Sequence, residues 1–406
     1  MKRPVAAAAV RAAVGLMLIT ATACALATPP AQTPTLAPTT APTVDELDNE
    51  ETEGAKPGSQ PTATPRPQPT TTVPGLRSDL IADGLVLPQS LAFAPDGRLF
   101  FVEVKKGAVR VRLNGAVQDR PVTTVGISRG AEHGLIGLVL DPNFASNHYL
   151  YTYYTQPESG NTAGRPRRHR VTRWTEHDGV AESETPVLDN LPTGKCCHTG
   201  GKMAFAADGS MVIALGDQGD ADRRDAQNPN RLNGKVLRFY PQQAIQEKPD
   251  PRSFIIASGL RNPYGLDIQP DTGEVWLTDN GPDMCDELNV VHPGANFGNP
   301  AVECTAGDER FVDPAWDSGV DRLGLTGARV YTGSMFPEYR GDVLFCSVNT
   351  GNMLRAVLSR PDFQHVERVE QVVSGQDGQG CRLDLAVAPD GSIYYTSVSR
   401  IFRLSR

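Results

Sequence analysis

The sequence has few aromatic residues and no excess of positive charge. Phe, Trp and Tyr make up 6% of the 406 residues, and 39 Lys and Arg are outnumbered by 47 Asp and Glu, giving a formal net charge of -8. This balance gives no general attraction to nucleic-acid phosphates, so no nucleic-acid partner is expected. The densest basic run, residues 165–170, has no interleaved aromatic residues and is typical of a solvated loop.

The sequence also lacks a long hydrophobic run near its charged start. The apolar stretch Ala12–Ile19 is shorter than the about 20 residues that span a bilayer core. With the basic residues before it and the small residues after it, it predicts a secretory signal over residues 1–24. Cys24 resembles the lipid-modified cysteine of bacterial lipoproteins, although an ordinary signal peptide is the alternative. We therefore predict an exported protein, either lipid-anchored at Cys24 to the outer face of the bacterial cytoplasmic membrane or periplasmic.

Residues 25–75 lack any apolar periodicity from which a core could form. Thr, Pro and Ala dominate this stretch, and an acidic run occupies residues 45–53. Such a composition is typical of disordered chains, and proline keeps them extended. We predict a disordered Thr/Pro-rich linker that tethers the following domain.

A strand-turn-strand pattern then returns six times, at intervals of roughly 45 to 70 residues, which suits one four-stranded blade per unit. No helical pattern is long enough to predict a second domain. The sequence therefore predicts an all-β fold, a six-bladed β-propeller over residues 76–406, with Leu76–Pro88 supplying an outer strand that closes the ring. A β-sandwich is the alternative, but its strands would not return at such long periods. The six units lie at Leu91–Phe100, Leu138–Tyr153, Met203–Ala214, Leu266–Leu277, Tyr339–Ser347 and Leu385–Thr396.

One of these units is a predicted hairpin within residues 259–287. Leu266 and Ile268 alternate with polar residues, and Val275 and Leu277 follow a Pro-Asp-Thr-Gly turn with the same spacing. Two half-buried antiparallel strands would place the polar flanking segments together at the open end of the hairpin.

These flanking segments contain Arg261 and Asn262 before the first strand and Asn280, Gly281 and Pro282 after the second. A turn with Gly and Pro can offer backbone carbonyls that no neighbouring strand uses, and a hard cation such as Ca2+ needs several oxygen ligands. The residues therefore predict a site for an anionic ligand held through a metal ion.

The segments GLRNPYG, NGPD, EHGLIGLVLDPNF, HTGGKMAFAADG, GDQGD, LNGKVLR, GANFGNP and LAVAPDG together resemble the glucose/sorbosone dehydrogenase family, over about residues 78–406. Members of this family bind pyrroloquinoline quinone (PQQ) with Ca2+ on a six-bladed propeller. The resemblance implies a PQQ- and Ca2+-dependent dehydrogenase that oxidises a sugar or related alcohol and passes electrons to an external acceptor.

The resemblance also implies roles for particular residues. The carbonyls of Gly281 and Pro282 would bind Ca2+, and Arg261, Asn262 and Arg382 would hold the anionic groups of PQQ. The family's catalytic histidine, a general base for the substrate hydroxyl, matches His198, although a structural histidine is the alternative. Arg261 belongs to the predicted catalytic site as well, and Arg382 has a surface arginine as its alternative.

Three further residues are predicted to bind substrate. Glu132 matches a position where the family has a polar residue that faces the substrate. Asp217 and Gln218 follow a strand of the third unit, which places them at the same mouth as His198, where they could bind hydroxyl groups.

Three positions depart from the family pattern. Cys197 replaces a carboxylate common before the catalytic histidine, Asn349 replaces a lysine that meets the cofactor, and Leu383 stands where an arginine is usual. These departures favour an alternative, in which the propeller is a non-catalytic binding module for a glycan or a partner protein.

Besides Cys24, the chain has six cysteines, an even number that predicts disulfides in an exported protein. Fifteen connectivities are possible. Cys285 with Cys304 would fasten the loop after the hairpin, and Cys346 with Cys381 would join the last two blades. The adjacent Cys196 and Cys197 would then form a vicinal disulfide or stay free, while zinc binding by Cys-Cys-His is a rival interpretation.

Overall fold

A computed structural model describes residues 75–158, 166–219, 223–375 and 379–406. The predicted signal peptide, the lipid attachment at Cys24 and almost all of the predicted linker lie outside the described residues. Six β-sheets, which we call blades, account for the strands that the structure describes.

The strands run in chain order with two exceptions, because β1 (Arg77–Ala82) belongs to the last blade and β18 (Ala295–Asn296) belongs to blade 3, although it follows three strands of blade 4. Blade 1 contains β2 (Pro88–Phe93), β3 (Leu99–Glu103), β4 (Ala108–Leu113) and β5 (Ala116–Val117), and β6 (Thr123–Thr124) also pairs with β4. Blade 2 contains β7 (Leu135–Leu140), β8 (Tyr149–Pro157), β9 (Pro166–His177) and β10 (Val180–Leu191), with the helical turn α1 (Phe144–Asn147) between β7 and β8.

Blade 3 contains β11 (Met203–Phe205), β12 (Met211–Leu215), β13 (Lys235–Phe239), β14 (Ile255–Ser258) and the parallel β18 (Ala295–Asn296), with the helix α2 (Pro241–Glu247) after β13. Blade 4 contains β15 (Pro263–Ile268), β16 (Val275–Asp279), β17 (Glu287–Val291) and β19 (Trp316–Asp317).

Blade 5 contains β20 (Leu325–Val330), β21 (Val343–Ser347), β22 (Met353–Leu358) and β23 (Val366–Val373), and blade 6 contains β24 (Leu385–Val387), β25 (Ile393–Thr396), β26 (Ile401–Ser405) and β1. Short 3₁₀ segments occupy Arg223–Gln227, Pro251–Phe254 and Pro337–Tyr339. No helix of the described residues is long and apolar enough to cross a membrane.

The inner strands close a ring. Each of β2, β7, β11, β15, β20 and β24 contacts the next, and β24 contacts β2. Apolar side chains fill the spaces between neighbouring blades, with Phe100 and Leu138 between blades 1 and 2 and Trp276 and Phe345 between blades 4 and 5. The predicted six-bladed propeller is confirmed.

The predicted closing strand is confirmed as well. β1 pairs antiparallel with β26, from Arg77 opposite Ser405 to Leu80 opposite Phe402. The hydroxyl groups of Ser78 and Tyr395 add a hydrogen bond of 2.5 Å within the same blade. The first and last described strands therefore complete one sheet.

The fifth strand-turn-strand unit lies elsewhere than predicted. Tyr339 belongs to a 3₁₀ segment, and β21 pairs instead with β20, which begins at Leu325. A connection of residues 331–342 separates these two strands, so Pro337 and Gly341 form part of a long connection rather than a tight hairpin turn. The other five predicted units coincide with paired strands.

A buried polar cluster joins the inner strands near the propeller axis. The Lys202 ammonium lies 2.7 Å from the Asp384 carboxylate and donates to the Ser90 hydroxyl at 3.1 Å. Ser90 in turn donates to a carbonyl of β7 at 2.8 Å. Arg329 donates to carbonyls of blades 6 and 1 and lies 3.6 Å from the Asp267 carboxylate of blade 4. We call these five residues the axial cluster, and it connects all six blades.

The predicted disulfides Cys285–Cys304 and Cys346–Cys381 are both present. The first fastens the loop after β16, and the second joins blades 5 and 6. Cys196 and Cys197 form the vicinal disulfide. Because these two sulfur atoms bind each other, the rival interpretation of Cys-Cys-His as a zinc site is wrong for this structure.

Candidate active site at the mouth of the propeller

The hairpin of β15 and β16 has the predicted turn, and its open end is fixed by a buried carboxylate. Asp279, the last residue of β16, accepts hydrogen bonds from the backbone N–H groups of Arg261 at 2.9 Å and Asn262 at 2.6 Å. Burial raises the pKa of Asp279 to about 6, against the lowering effect of these two amide bonds. Asp279 therefore joins the segment before β15 to the end of β16.

The turn after β16 is crowded and rich in oxygen atoms. A Cβ atom at Gly281 would lie 1.8 Å from the Met284 carbonyl oxygen, so only glycine fits there. The side-chain oxygen of Asn280 is buried and has no hydrogen-bond partner among the described residues. The described residues contain no cluster of three Asp, Glu, His or Cys side chains suited to a metal. A hard cation at this turn would use the Asn280 side chain and the carbonyls of Gly281 and Pro282, and these oxygen donors fit Ca2+.

A cavity of about 410 Å³ opens beside this turn. We call it the mouth pocket; its lining includes the predicted residues Glu132, Asn262, Gly281, Pro282 and Asn349. Its volume falls within the range of about 300 to 1,000 Å³ typical of small-molecule sites. The structure thus brings together residues from loops of blades 2, 4 and 5.

His198 is not itself a lining residue of this pocket, but its backbone is bonded to the lining residue Glu132. Its Nδ1 atom is 2.7 Å from the Asp217 carboxylate, and 14% of its side chain is exposed. Its backbone N–H donates to the Glu132 carboxylate at 2.6 Å, and its φ of 57° lies in the left-handed region that non-glycine residues rarely adopt. With an N–H at Nδ1 donating to Asp217, Nε2 is left as a proton acceptor.

Asp217 and Gln218, which the sequence predicts to bind substrate, are not among the lining residues of the mouth pocket. Both side chains are buried. Asp217 holds His198, and Gln218 accepts a hydrogen bond of 3.0 Å from Nε2 of the buried His169. The two residues follow a strand at the mouth, as predicted, but their side chains point inward and support the site from below. Glu132 combines a place in the pocket with support of the His198 backbone.

The vicinal disulfide packs against the segment that carries Asp217. A Cβ atom at Gly219 would lie 2.8 Å from the sulfur of Cys197 and 3.0 Å from that of Cys196. The Cys196 carbonyl also accepts the N–H of Glu132 at 3.0 Å. The disulfide therefore lies between the Glu132 loop and the Asp217 loop, directly before His198.

The two predicted cofactor arginines lie at the edge of the site. Arg261 donates to the Asn280 carbonyl at 2.8 Å and lines a small cavity next to the mouth pocket. Arg382 donates to the Val348 carbonyl and, at 3.3 Å, to the Asn349 carbonyl. Both guanidinium groups thus hold loops that border the mouth pocket, and neither is among its lining residues.

Three residues of the site escaped prediction. Asp279 ends a strand whose alternation could have identified it, because the segment Thr278–Asn280 leads directly into the turn that contains Gly281 and Pro282. Tyr264 lines the pocket and donates to Gln89 at 2.5 Å, and its place next to Asn262 was a usable signal. Arg322 also lines the pocket, but it comes from an irregular loop with no motif.

The fold and site together define a class of protein: a six-bladed propeller whose mouth combines a carboxylate-held histidine with an oxygen-rich turn and a pocket of small-molecule size. The chain belongs to the glucose/sorbosone dehydrogenase family, whose model matches residues 85–404. The resemblance stated from the sequence is confirmed.

Two relatives and one solved structure illustrate the likeness. The chain is 27% identical to the aldose sugar dehydrogenase YliI of Escherichia coli over 341 residues, 74% of this chain and 87% of that protein. It is 26% identical to the quinoprotein glucose dehydrogenase B of Acinetobacter calcoaceticus over 286 residues, 63% of this chain and 59% of that protein. The PQQ-bound aldose sugar dehydrogenase of Streptomyces coelicolor superposes with a TM-score of 0.69 at 23% identity, covering 82% of this chain and 99% of that chain, a likeness of fold.

Proposed function

We propose that the protein is a PQQ- and Ca2+-dependent dehydrogenase that oxidises a sugar or related alcohol and passes electrons to an external acceptor. The observation that carries this proposal is the His198–Asp217 pair, which is bonded through Glu132 to a pocket that a turn with oxygen donors also lines. Membership of the family and the names of the relatives support the substrate class.

The oxygen donors of the turn fit Ca2+, and the mouth pocket, of about 410 Å³, has the volume for PQQ. Ca2+ would be held by the carbonyls of Gly281 and Pro282 with the side-chain oxygen of Asn280, and PQQ would lie in the mouth pocket beside Asn262 and Asn349. The bound cofactors supply the hydride acceptor and a Lewis acid that polarises it. The pocket supplies position, which places the reacting groups together.

His198 would take the proton of the substrate hydroxyl at Nε2. Asp217 keeps the N–H on Nδ1 and stabilises the imidazolium that forms, as a carboxylate does for any general-base histidine. Glu132 fixes the backbone of His198 through the 2.6 Å bond, and the 2.7 Å contact with Asp217 orients the ring.

Reconstitution tests the proposal. The purified full chain is treated with chelator, and dye reduction is then followed with PQQ, Ca2+ and a panel of aldoses and alcohols. We expect turnover with at least one sugar, and PQQ binding by calorimetry that depends on Ca2+. His198→Gln is the matched control, which should bind PQQ without turnover.

If the wild-type chain shows no turnover and no PQQ binding, the dehydrogenase is rejected in favour of the binding module, which Asn349 and Leu383 favour. Both residues line the mouth pocket where the family has cationic side chains. A glycan or protein ligand would then occupy the same mouth, and substitution of Glu132 would change its affinity.

Export and lipid attachment at Cys24 are also part of the proposal. Three disulfides in the described residues support an oxidising compartment. Mass spectrometry of membrane-extracted protein should show a diacylglycerol-modified Cys24 at the new N-terminus, and an unmodified cysteine there would leave the protein as a periplasmic one.

A further inference from the structure

The mouth pocket is short of positive charge for a ligand with several carboxylates. Its charged lining residues are Glu132, Asp283, Asp286 and Arg322. Arg322 is thus the single cation among the described residues of its lining. PQQ, the ligand of the proposed function on which this inference rests, carries carboxylate groups that need cationic or N–H donors.

The other candidate arginines are engaged in holding loops. The Arg382 guanidinium donates to the carbonyls of Val348 and Asn349, and that of Arg261 donates to the Asn280 carbonyl at 2.8 Å. Both contribute to the shape of the site from its border. Arg322 is therefore the arginine that can form a direct ion pair with a ligand carboxylate within the pocket.

The backbone of Arg322 is held from a neighbouring loop of the same blade. The Asn349 side-chain amide donates to the Arg322 carbonyl at 2.9 Å, and the Asn349 N–H donates to the Leu323 carbonyl at 3.2 Å. The following residue, Gly324, donates its N–H to the buried Asp286 carboxylate at 2.7 Å. Asn349, which stands where the family has a lysine, therefore fixes the start of the arginine side chain.

The guanidinium itself lies at the solvent edge of the pocket. It donates to the Asp283 carbonyl at 2.6 Å and to the Asp283 carboxylate at 2.7 Å. The side chains of Arg322 and Asp283 are 67% and 73% exposed. Exposed ion pairs contribute little to stability, so an incoming ligand carboxylate can displace Asp283 at small cost.

We propose that Arg322 is a ligand-binding residue that pairs with a carboxylate of the ligand in the mouth pocket, with Asn349 as its positioning residue. In the absence of ligand the Asp283 carboxylate pairs with the Arg322 guanidinium, so Asp283 competes with the ligand for it. Arg322, on the neighbouring loop, thereby supplies the positive charge that is missing at position 349.

Opposite effects of two single substitutions test the proposal. With the full chain in excess Ca2+, calorimetry measures the Kd of PQQ for wild type, Arg322→Gln, Asp283→Asn and the control Arg252→Gln, which removes an exposed arginine paired with Asp250 outside the pocket. Loss of a charged hydrogen bond should raise Kd by about ten- to a hundredfold in Arg322→Gln. Asp283→Asn should lower Kd several-fold, and Arg252→Gln should leave it unchanged.

A second ligand separates this inference from the proposed function. Benzene-1,3,5-tricarboxylate, a planar polycarboxylate without a quinone, is titrated into the same four proteins. Suppose that PQQ does not bind, but the tricarboxylate binds to wild type more tightly than it binds to Arg322→Gln. The proposed dehydrogenase function is then rejected, while the assignment of Arg322 as a ligand-binding residue is supported. The assignment of Arg322 is overturned if Arg322→Gln has the same Kd as wild type for the ligand that binds wild type. It is also overturned if neither ligand binds wild type.

Discussion

At the scale of single residues, the site depends on side chains that substrate would not touch. Asp217 is buried and orients His198, while Gln218 and His169 form a second buried layer beneath it. Sequence spacing could place these residues at the mouth, because each follows or precedes a strand. It could not show that the side chains of Asp217 and Gln218 are buried and bonded to His198 and His169.

A first prediction concerns the His198–Asp217 pair. In the reconstituted enzyme, His198→Gln should lower kcat by about 10²- to 10⁴-fold, the usual contribution of a general base. Asp217→Asn should lower kcat with PQQ affinity unchanged, because it disturbs the orientation of the ring and leaves the pocket intact. Asp208→Asn, in a turn of the same blade, is the control. An Asp217→Asn enzyme with wild-type kcat would contradict the role assigned to Asp217.

A second prediction follows from the burial of His169, which lowers its pKa to about 3. The charged imidazolium is disfavoured in the folded state, so its contribution to stability is present above the unfolded pKa of about 6.5 and is lost as pH falls from there to about 3. Between these two pH values, protonation of His169 should lower the free energy of unfolding by about 1.4 kcal/mol for each pH unit that the pH falls. Urea denaturation at pH 7, 5.5 and 4 should show a flatter profile for His169→Asn than for wild type.

The exposed His365 provides the control for this series. His365→Asn makes the same substitution at a surface position, and its slope of stability against pH is compared with that of His169→Asn. Identical slopes for His169→Asn and wild type would remove His169 from the account of acid sensitivity.

At the scale of elements, the alternation of apolar and polar residues predicted the strands that pair with a partner close in sequence. The hairpin of β15 and β16 and its turn were evident, because both strands lie within one stretch and alternate apolar with polar residues. The fifth unit failed for the opposite reason: the partner of β21 lies across a 12-residue connection that no periodicity marks. Arg322 was missed likewise, since its place depends on hydrogen bonds between loops that are distant in sequence.

The closing strand gives a third prediction. A chain that begins at Leu85 lacks β1 and leaves β26 as an unpaired edge, whereas a chain that begins at Gly75 keeps it. We expect the shorter chain to melt at a clearly lower temperature in calorimetry and to aggregate at high concentration, because an exposed edge strand can pair with another molecule. Equal melting temperatures and a stable monomer in both chains would show that β1 does not contribute to closure.

At the scale of the whole molecule, the axial cluster holds the six blades to one another. Burial lowers the pKa of Lys202, and the Asp384 carboxylate opposes this effect. The sequence predicted the number of blades from the repeat but not this cluster. Its members belong to different repeats, so nothing in the spacing of one repeat indicates that they meet.

A fourth prediction tests the axial cluster. Lys202→Met leaves the buried Asp384 carboxylate without its cation and should lower the free energy of unfolding by about 3 to 5 kcal/mol in urea. Lys202→Met combined with Asp384→Asn should recover part of this loss, because no charge is then left unpaired. The exposed Lys248→Met should change stability by less than about 0.5 kcal/mol. A double variant less stable than Lys202→Met would refute charge compensation as the cause.

The pairing of β1 with β26 also determines when the ring can close during synthesis. β1 leaves the ribosome before the other described strands, and β26 leaves after all of them. The sixth sheet therefore stays incomplete while the five intervening blades are made, and the contact that completes it joins segments very distant in sequence, the slowest kind to form. A nascent chain built this way cannot close its ring until its last strand has been made.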